Sequence, residues 1–212
     1  MVGRKPTAPE RRLQDLKVGM AENSDIATRN LTGHLLIAMP GMADPRFDLS
    51  VVFICDHSDE GAMGLIVNKP TPDIDMSALL SQLSIENPAG LDGTKVRYGG
   101  PVEMGRGFVL HSPDYTSVVT TLDVTPDLKM TATLDVLEDL GQGQGPERWL
   151  MMLGYAGWGP GQIEGELQDN AWLVCDANIA EIFTSQSDDL YEKCVAAMGI
   201  DLALLSNEGG EA

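Results

Sequence analysis

Two short apolar runs separated by a polar loop constrain the fold of this chain more than any other feature. Residues 50–56 and 63–68 are each long enough to form a β-strand, and the intervening segment 57–61 (H-S-D-E-G) has the length of a hairpin loop. The first run is apolar without interruption between Val51 and Cys55. The sequence therefore predicts two adjacent antiparallel strands, and with them a fold built around a sheet.

Further strands are expected through the middle of the chain, with helices at irregular intervals. The other strands are predicted at 31–39, 95–98, 107–111, 117–121, 128–131, 149–155 and 172–175. Helices are predicted at 76–83 behind an Asp75 N-cap, at 133–140, at 160–167 with Pro160 in the first turn, from an Asp176 cap to 183, and at 190–198. A doubly wound parallel sheet would alternate strand and helix regularly, so this order predicts the α+β class.

Composition allows one sizeable hydrophobic core. The chain has 212 residues, of which 43% are hydrophobic, and these values predict one domain with short appendages. No run approaches the roughly 18–20 apolar residues of a transmembrane helix. The basic N-terminus is not followed by the apolar region of a secretory signal before Leu31. We therefore expect a cytoplasmic protein without a membrane span.

The boundaries of the domain are set by where apolar periodicity begins and ends. Residues 1–30 mix charge, proline and glycine with little periodicity, and are predicted to be a flexible N-terminal extension. The domain is expected to span residues 31–205, followed by a disordered C-terminal tail at 206–212.

The three cysteines are Cys55, Cys175 and Cys194, which lie far apart in sequence and form no C-x-x-C motif. An odd number at such spacing fits reduced thiols better than a disulfide framework. We interpret them as small core residues, with a redox or catalytic role as the alternative.

Negative charge dominates the chain and argues against nucleic acid as a partner. The formal net charge is −18, and residues 31–212 alone carry 8 Lys/Arg against 28 Asp/Glu once the six basic and four acidic residues of 1–30 are set aside. Duplex DNA is bound chiefly through Lys and Arg that displace counterions. Only the short basic N-terminal segment could contribute, so no direct nucleic-acid binding is expected of the body.

Four sequence blocks together resemble the AlgH/YqgE family of bacterial proteins. They are residues 32–70, residues 98–112 (Y-G-G-P-V-E-M-G-R-G-F-V-L-H-S), residues 154–167 (G-Y-A-G-W-G-P-G-Q-I-E-G-E-L) and residues 170–174. The resemblance implies a compact α+β domain with a strongly bent, partly barrel-like sheet flanked by short helices. It implies no activity, because the family has none established. Some members carry a transcriptional-regulator label, which conflicts with the charge argument.

The glycine-rich run at 154–161 lies between an expected strand and an expected helix, which is where phosphate-binding loops are found. It contains neither G-x-G-x-x-G nor the Lys-Ser/Thr of a P-loop. Glu164 and Glu166 also place negative charge where an anion would sit. A structural turn is therefore the preferred interpretation, and no cofactor is predicted.

Metal sites find no support in the spacing of potential ligands. The segment 56–61 (D-H-S-D-E-G) superficially resembles a calcium loop, but its twelfth position is Val67, where a bidentate Glu is needed. His34, His57 and His111 fit no metal-binding motif. We predict no metal site.

The polar residues most suggestive of a cleft are Asn68, Arg106, His111 and Gln162, because each lies at the end of an apolar strand or the start of a helix within a family block. Arg106 is either tied to a carboxylate such as Glu103 or held free for an anionic ligand.

The function predicted from these features is a binding or regulatory protein that acts through protein or small-molecule contacts. The alternative is an enzyme that uses Arg106 and His111 in a cleft, although no catalytic motif is present. A DNA-binding regulator ranks third. A pocket around His111 would favour the enzyme, and a broad exposed apolar patch would favour the interaction protein.

Overall fold

The two apolar runs pair as an antiparallel hairpin, and further strands are added on both sides of it. The structure, a computed structural model, describes residues 29–184 and 187–200. Its strands are β1 (His34–Ala38), β2 (Val51–Ser58), β3 (Gly61–Ile66), β4 (Pro70–Asp75), β5 (Lys95–Tyr98), β6 (Val102–His111), β7 (Leu122–Thr125), β8 (Leu128–Thr131), β9 (Trp149–Trp158) and β10 (Trp172–Asp176). Apart from residues 29 and 30, the predicted extension at 1–30 and the predicted tail at 206–212 lie outside the described residues.

The ten strands form one open, mixed sheet. Its hydrogen-bonded path runs β10-β1-β2-β3-β9-β6-β8-β7, and β5 joins β9 from the side while pairing with β4. Within the described residues every pairing is antiparallel except that of β5 with β9. Strand β9 pairs with three other strands, because its first half pairs with β5 and β6 while Ala156–Trp158 pair with β3.

Five short helices cover the sheet in the described part of the chain, and the α+β prediction is confirmed. They are α1 (Met76–Gln82), α2 (Leu134–Gln142), α3 (Gln162–Gln168), α4 (Ile179–Thr184) and α5 (Ser187–Ala197). The predicted Asp75 cap of α1 forms, with the Asp75 carboxylate accepting a hydrogen bond from the Ala78 N–H at 2.8 Å.

Apolar packing on both faces of the sheet explains why residues 51–55 of β2 are apolar without alternation. Phe53 and Cys55 lie in one core cluster, which α5 completes, whereas Val52 and Ile54 lie in another, which α3 completes. A third cluster packs α1 and α2 against Val109 and its neighbours on β6 and β9. Each helix therefore covers an apolar sheet surface that would otherwise face water.

The glycine-rich segment differs from its predicted form at both ends. The strand predicted to end at residue 155 continues to Trp158, because Ala156 and Trp158 pair with Gly64 and Ala62 of β3. The helix predicted from Pro160 begins instead at Gln162, with Gly161 as its N-cap in the left-handed region (φ 73°). The turn is thus shorter than the sequence suggested.

Other boundaries also need correction. Residues 117–121 were predicted as a strand but form an irregular loop, and the strand β7 follows it. Pro70 and Pro72 predict a break in the sheet, but the segment that contains them forms β4. Asp176 was predicted to cap a helix, but it ends β10, where it pairs with His34, so α4 begins only at Ile179.

Candidate functional site

The four polar residues proposed from the sequence contact different neighbours and do not share one cleft. Asn68 is buried just after β3. Its side-chain carbonyl accepts a hydrogen bond from Val51 N–H, and its amide donates to the Leu49 carbonyl, both at 2.8 Å. These two bonds fix the backbone at the start of β2, so the role of Asn68 is structural.

His111 is fully buried at the end of β6, with both ring nitrogens bonded. Its Nδ1 lies 2.8 Å from the Ser112 carbonyl, which only accepts, so Nδ1 is the protonated nitrogen. Its Nε2 therefore accepts from the Thr131 hydroxyl at 3.0 Å. Burial lowers the pKa of His111, although the Ser112 carbonyl opposes this effect. The ring is held neutral and is closed to a substrate.

Arg106 and Gln162 are both bound to neighbours on the surface. The Arg106 guanidinium donates to the Glu103 carboxylate at 3.1 Å, which is the ion pair considered from the sequence. The Gln162 carbonyl accepts from Gly159 N–H at 3.0 Å, and its amide donates to Glu166 at 2.9 Å. Gln162 thus closes the short turn before α3.

Arg106 and His111 project from opposite faces of β6. The Arg106 guanidinium lies 5.2 Å from the ring centre of Phe108, on the face of the first core cluster. His111 shares the other face with Val109, which belongs to the third cluster. The geometry gives these two residues no common pocket.

A groove of about 730 Å³ lies on the Arg106 face of the sheet, between the β2–β3 hairpin, β6, β9 and the β7–β8 pair. Phe108 and Tyr155 meet edge to face in it, with ring centres 5.7 Å apart. Its apolar lining comprises Ala62, Met63, Val102, Phe108, Leu122, Met130, Ala132, Tyr155 and Trp158. This lining suits an apolar ligand or side chain.

An irregular stretch of β6 forms one wall of the groove. The pairing of Val102 with Tyr155 shifts to that of Gly107 with Leu153, so residues 103–106 lie opposite Gly154 alone. Gly154 adopts φ +73°, and a Cβ there would lie 2.4 Å from the Gly100 carbonyl oxygen. Glycine at this position allows the bulge, which turns Met104 and Arg106 outward.

Exposed hydrophobic side chains lie on the segments that line the groove. Val118 and Val119 are 94% and 67% exposed in the loop that also supplies the lining residue Thr120. Met104 is 61% exposed on the bulge, and Leu122 is 41% exposed at the start of β7. We call these four side chains the apolar rim. Exposed apolar groups gathered beside a concave surface mark sites of interaction.

The loop that carries Val118 and Val119 is held by a network of hydroxyl groups. The Ser117 hydroxyl donates to Asp135 at 2.5 Å, and the same oxygen accepts from the Val119 and Thr120 N–H groups. The Ser117 N–H donates to Thr121, which lies 2.9 Å from Thr131, the partner of His111. Through Thr131 and Thr121, His111 is therefore connected to the hydrogen bonds that hold the loop carrying Val118 and Val119. The sequence signal that could have revealed this loop is the dense alternation of Ser, Thr and Asp around it.

The polar edge of the groove is acidic. Asp56 and Glu60 line it from the β2–β3 hairpin and are exposed. Arg106, the cation that lines it, is compensated by Glu103. A ligand with positive charge near its apolar part would meet a complementary surface.

The two glutamates that argued against a phosphate site have structural partners. Glu166 accepts hydrogen bonds from the indole N–H groups of Trp158 and Trp172 at 2.9 and 2.7 Å. Glu164 bonds to His57 at 2.9 Å, with its second carboxylate oxygen buried and without a hydrogen-bond partner. These carboxylates hold α3 against the sheet and keep negative charge beside the glycine turn.

The described residues contain no group of three or more His, Cys, Asp or Glu side chains arranged to hold a metal ion. No helix among them has the length and apolar character needed to cross a membrane.

Fold and groove together define an α+β protein with an open mixed sheet and an apolar groove on one face. A family model described as AlgH-like matches residues 35–203. A UPF0301 protein of Ruegeria pomeroyi is 54% identical over 184 residues, covering 86% of this chain and all of the relative. One from Nitrobacter hamburgensis is 45% identical over 216 residues, covering 99% and 98%. The chain belongs to the AlgH-like family, as its sequence blocks indicated.

Solved structures agree with this assignment. The solution structure of the AlgH protein from Pseudomonas aeruginosa is 40% identical, with a TM-score of 0.73 over 87% of this chain and 97% of that one. A crystal structure of a Corynebacterium diphtheriae protein shares the fold at 19% identity, with a TM-score of 0.67.

Proposed function

We propose that this protein is a cytoplasmic binding protein that holds an apolar segment of a partner protein in the groove. The observation that carries the proposal is the apolar rim, in which four side chains are exposed beside a concave apolar surface. Exposing such groups costs free energy unless a partner covers them. The hydrogen bonds that fix residues 117–121 keep two of the four in place before binding, which lowers the entropic cost of association.

The chemistry of the groove indicates what the partner segment contains. Phe108 and Tyr155 offer aromatic surface to a large apolar side chain of the partner. Asp56 and Glu60 favour Lys or Arg next to that side chain, and the net charge of −18 attracts a basic partner from a distance. The proposed ligand is therefore a short segment with an apolar centre and basic flanks.

A reducing compartment fits the state of the cysteines. Cys55, Cys175 and Cys194 are all free thiols. Such thiols are typical of the cytoplasm, where disulfides are rare. This supports the cytoplasmic location that we propose.

The competing functions have less support. An enzyme that uses Arg106 and His111 would need the two on one surface, whereas they lie on opposite faces of β6. A DNA-binding regulator would need a cationic surface, and the groove presents Asp56 and Glu60.

A peptide-display selection on the immobilised full-length protein tests the proposal. We expect enrichment of peptides with one or two large apolar residues flanked by Lys or Arg. Binding of an enriched peptide is then measured by calorimetry. Val118→Ser combined with Val119→Ser should weaken it at least about tenfold, because two apolar contacts are lost and no charge is added that could attract the basic flanks of the peptide.

The matched control is Leu83→Ser, which makes the same kind of change at an exposed leucine, 42% accessible, at the end of α1 and away from the groove. It should leave affinity unchanged within a factor of about two. Selection that enriches no peptide, or peptides that bind the double variant as well as the wild type, would refute a protein-binding groove. Enrichment that depends on Leu83 would place the binding surface elsewhere.

A further inference from the structure

The start of the described chain is attached to a wall of the groove. The Asn30 side-chain amide donates a hydrogen bond to the His57 carbonyl, and the Leu31 N–H donates to His57 Nδ1, both at 3.0 Å. His57 lies on β2 close to the β2–β3 turn, and its neighbours in sequence, Asp56 and Ser58, line the groove. The chain that precedes Asn30 therefore joins the domain beside the acidic edge of the groove.

This attachment is fixed through both nitrogens of the His57 ring. Because the Leu31 N–H can only donate, Nδ1 is the unprotonated nitrogen, and Nε2 donates to the Glu164 carboxylate of α3 at 2.9 Å. His57 is buried, and Leu31 lies in the core cluster that α3 completes. Strand and helix together thus hold the point from which residues 1–28 extend.

Residues 11–18 (R-R-L-Q-D-L-K-V) have the composition that the groove favours. Two leucines lie at the centre of this segment, with an arginine pair before them and a lysine after them. They are the only leucines of residues 1–28, and the three basic residues outnumber the one acidic residue, Asp15. The segment therefore matches the apolar centre and basic flanks proposed for the ligand, and its charge is opposite to that of Asp56 and Glu60 at the groove.

The connection between this segment and the domain is short enough to concentrate it at the groove. Residues 19–29 separate it from Asn30 and span at most about 40 Å when extended. A tether of this kind gives an effective concentration of about 1 mM. A segment that binds with a Kd of about 0.1 mM would then occupy the groove about nine-tenths of the time.

We propose, on the basis of the function proposed for the groove, that residues 11–18 occupy the groove of their own molecule and compete with the partner segment. Leu13 and Leu16 pack against the aromatic rings of the groove, and the flanking basic side chains face its acidic edge. Without a partner, the segment covers apolar groups that would otherwise meet water. A partner must displace it, so weak apolar peptides are excluded.

Photo-crosslinking of the full-length protein tests where the segment lies. Leu16 is replaced by the photoreactive residue p-benzoyl-phenylalanine, and circular dichroism establishes that the protein is folded. Irradiation should give a crosslink within one molecule, and peptide mapping should place it on β3, β6 or β8, where Met63, Phe108 and Met130 line the groove. The same replacement at Val2, outside residues 11–18, is the matched control and should give no dominant crosslink to these strands.

Calorimetry with a peptide enriched in the display selection measures the competition. Leu13→Ser combined with Leu16→Ser in the full chain should tighten peptide binding at least about threefold, because the groove no longer has an internal occupant. The matched control is Val2→Ser combined with Ile26→Ser, which removes two apolar side chains of residues 1–28 outside the segment. It should change the affinity by less than about 1.5-fold.

The outcomes separate this proposal from the function of the groove. Crosslinks that form only between molecules, or only outside the groove, would overturn the internal occupant. A peptide that requires Val118 and Val119 but binds the wild type and the leucine double variant equally would also overturn it, and would leave the partner-binding groove standing. A selection that enriches no peptide would remove the partner-binding groove, and the competition proposed here with it.

Discussion

Trp158 packs in the hydrophobic core and also lies at the edge of the groove. Its ring packs edge to face on Trp172, with centres 6.0 Å apart, and only 6% of the residue is exposed. Trp158→Ala removes this packing and should lower the free energy of unfolding by about 3–5 kcal/mol, measured in urea melts. A nearly unchanged midpoint would contradict a structural role.

Trp158→Phe separates the ring from its hydrogen bond. It keeps most of the apolar area but loses the indole donor to Glu166. We expect a loss of about 1–3 kcal/mol, because the Glu166 carboxylate then has one donor fewer. A loss as large as that of Trp158→Ala would mean that the hydrogen bond, rather than packing, anchors the ring.

His111 makes the stability of the fold depend on pH, and we expect stability to decrease as the pH falls. Its pKa is lowered from 6.5 in the folded protein, so below pH 6.5 the unfolded chain takes up the proton first. This contribution to stability is complete above pH 6.5 and is lost as the pH falls towards the folded pKa. Urea melts at pH 7.5 and 5.5 should show a smaller decline in His111→Gln than in the wild type, and equal declines would contradict the assignment.

At the scale of elements, the bulge of β6 depends on Gly154. Gly154→Ala forces a Cβ against the Gly100 carbonyl oxygen at a positive φ, and should cost about 2–4 kcal/mol in urea melts. Gly105→Ala is the matched control, since it lies in the same bulge and a Cβ there meets nothing within 4 Å. The control should change stability by no more than about 0.5 kcal/mol. Equal losses in the two variants would show that the bulge does not require glycine.

Most strands and helices could be predicted from the local sequence. Those that were placed wrongly are fixed by contacts that the local apolar pattern does not contain. Strand β2 and helix α5 have apolar patterns that their own packing explains. Residues 117–121 contain two valines typical of strands, but the Ser117 hydroxyl bonds to backbone N–H groups and to Asp135 and so fixes a loop. Strand β9 is longer than predicted because its last residues pair with β3, a contact distant in sequence.

At the scale of the whole molecule, the groove could not be read from the sequence because it exists only where distant strands meet. Its walls come from the β2–β3 hairpin, the bulge of β6 and the segment before β7. The sequence marked Arg106 and His111 as a pair, yet strand periodicity alone places residues five apart on opposite faces. Family membership could be predicted from the sequence because each of the blocks that mark the family is a continuous stretch of the chain.

The negative charge of the whole chain predicts that the protein does not bind duplex DNA at physiological salt. With 8 basic against 28 acidic residues in 31–212, association would bring like charges together and release few counterions. The six Lys and Arg of residues 1–30 could give weak binding at low salt that falls steeply as salt rises. Fluorescence anisotropy with labelled duplexes, at about 50 and 150 mM salt, should show no binding at the higher value, for the full chain or after deletion of residues 1–28. Sequence-specific binding by the shortened protein at that salt would restore the DNA-binding regulator and displace the groove as the explanation of function.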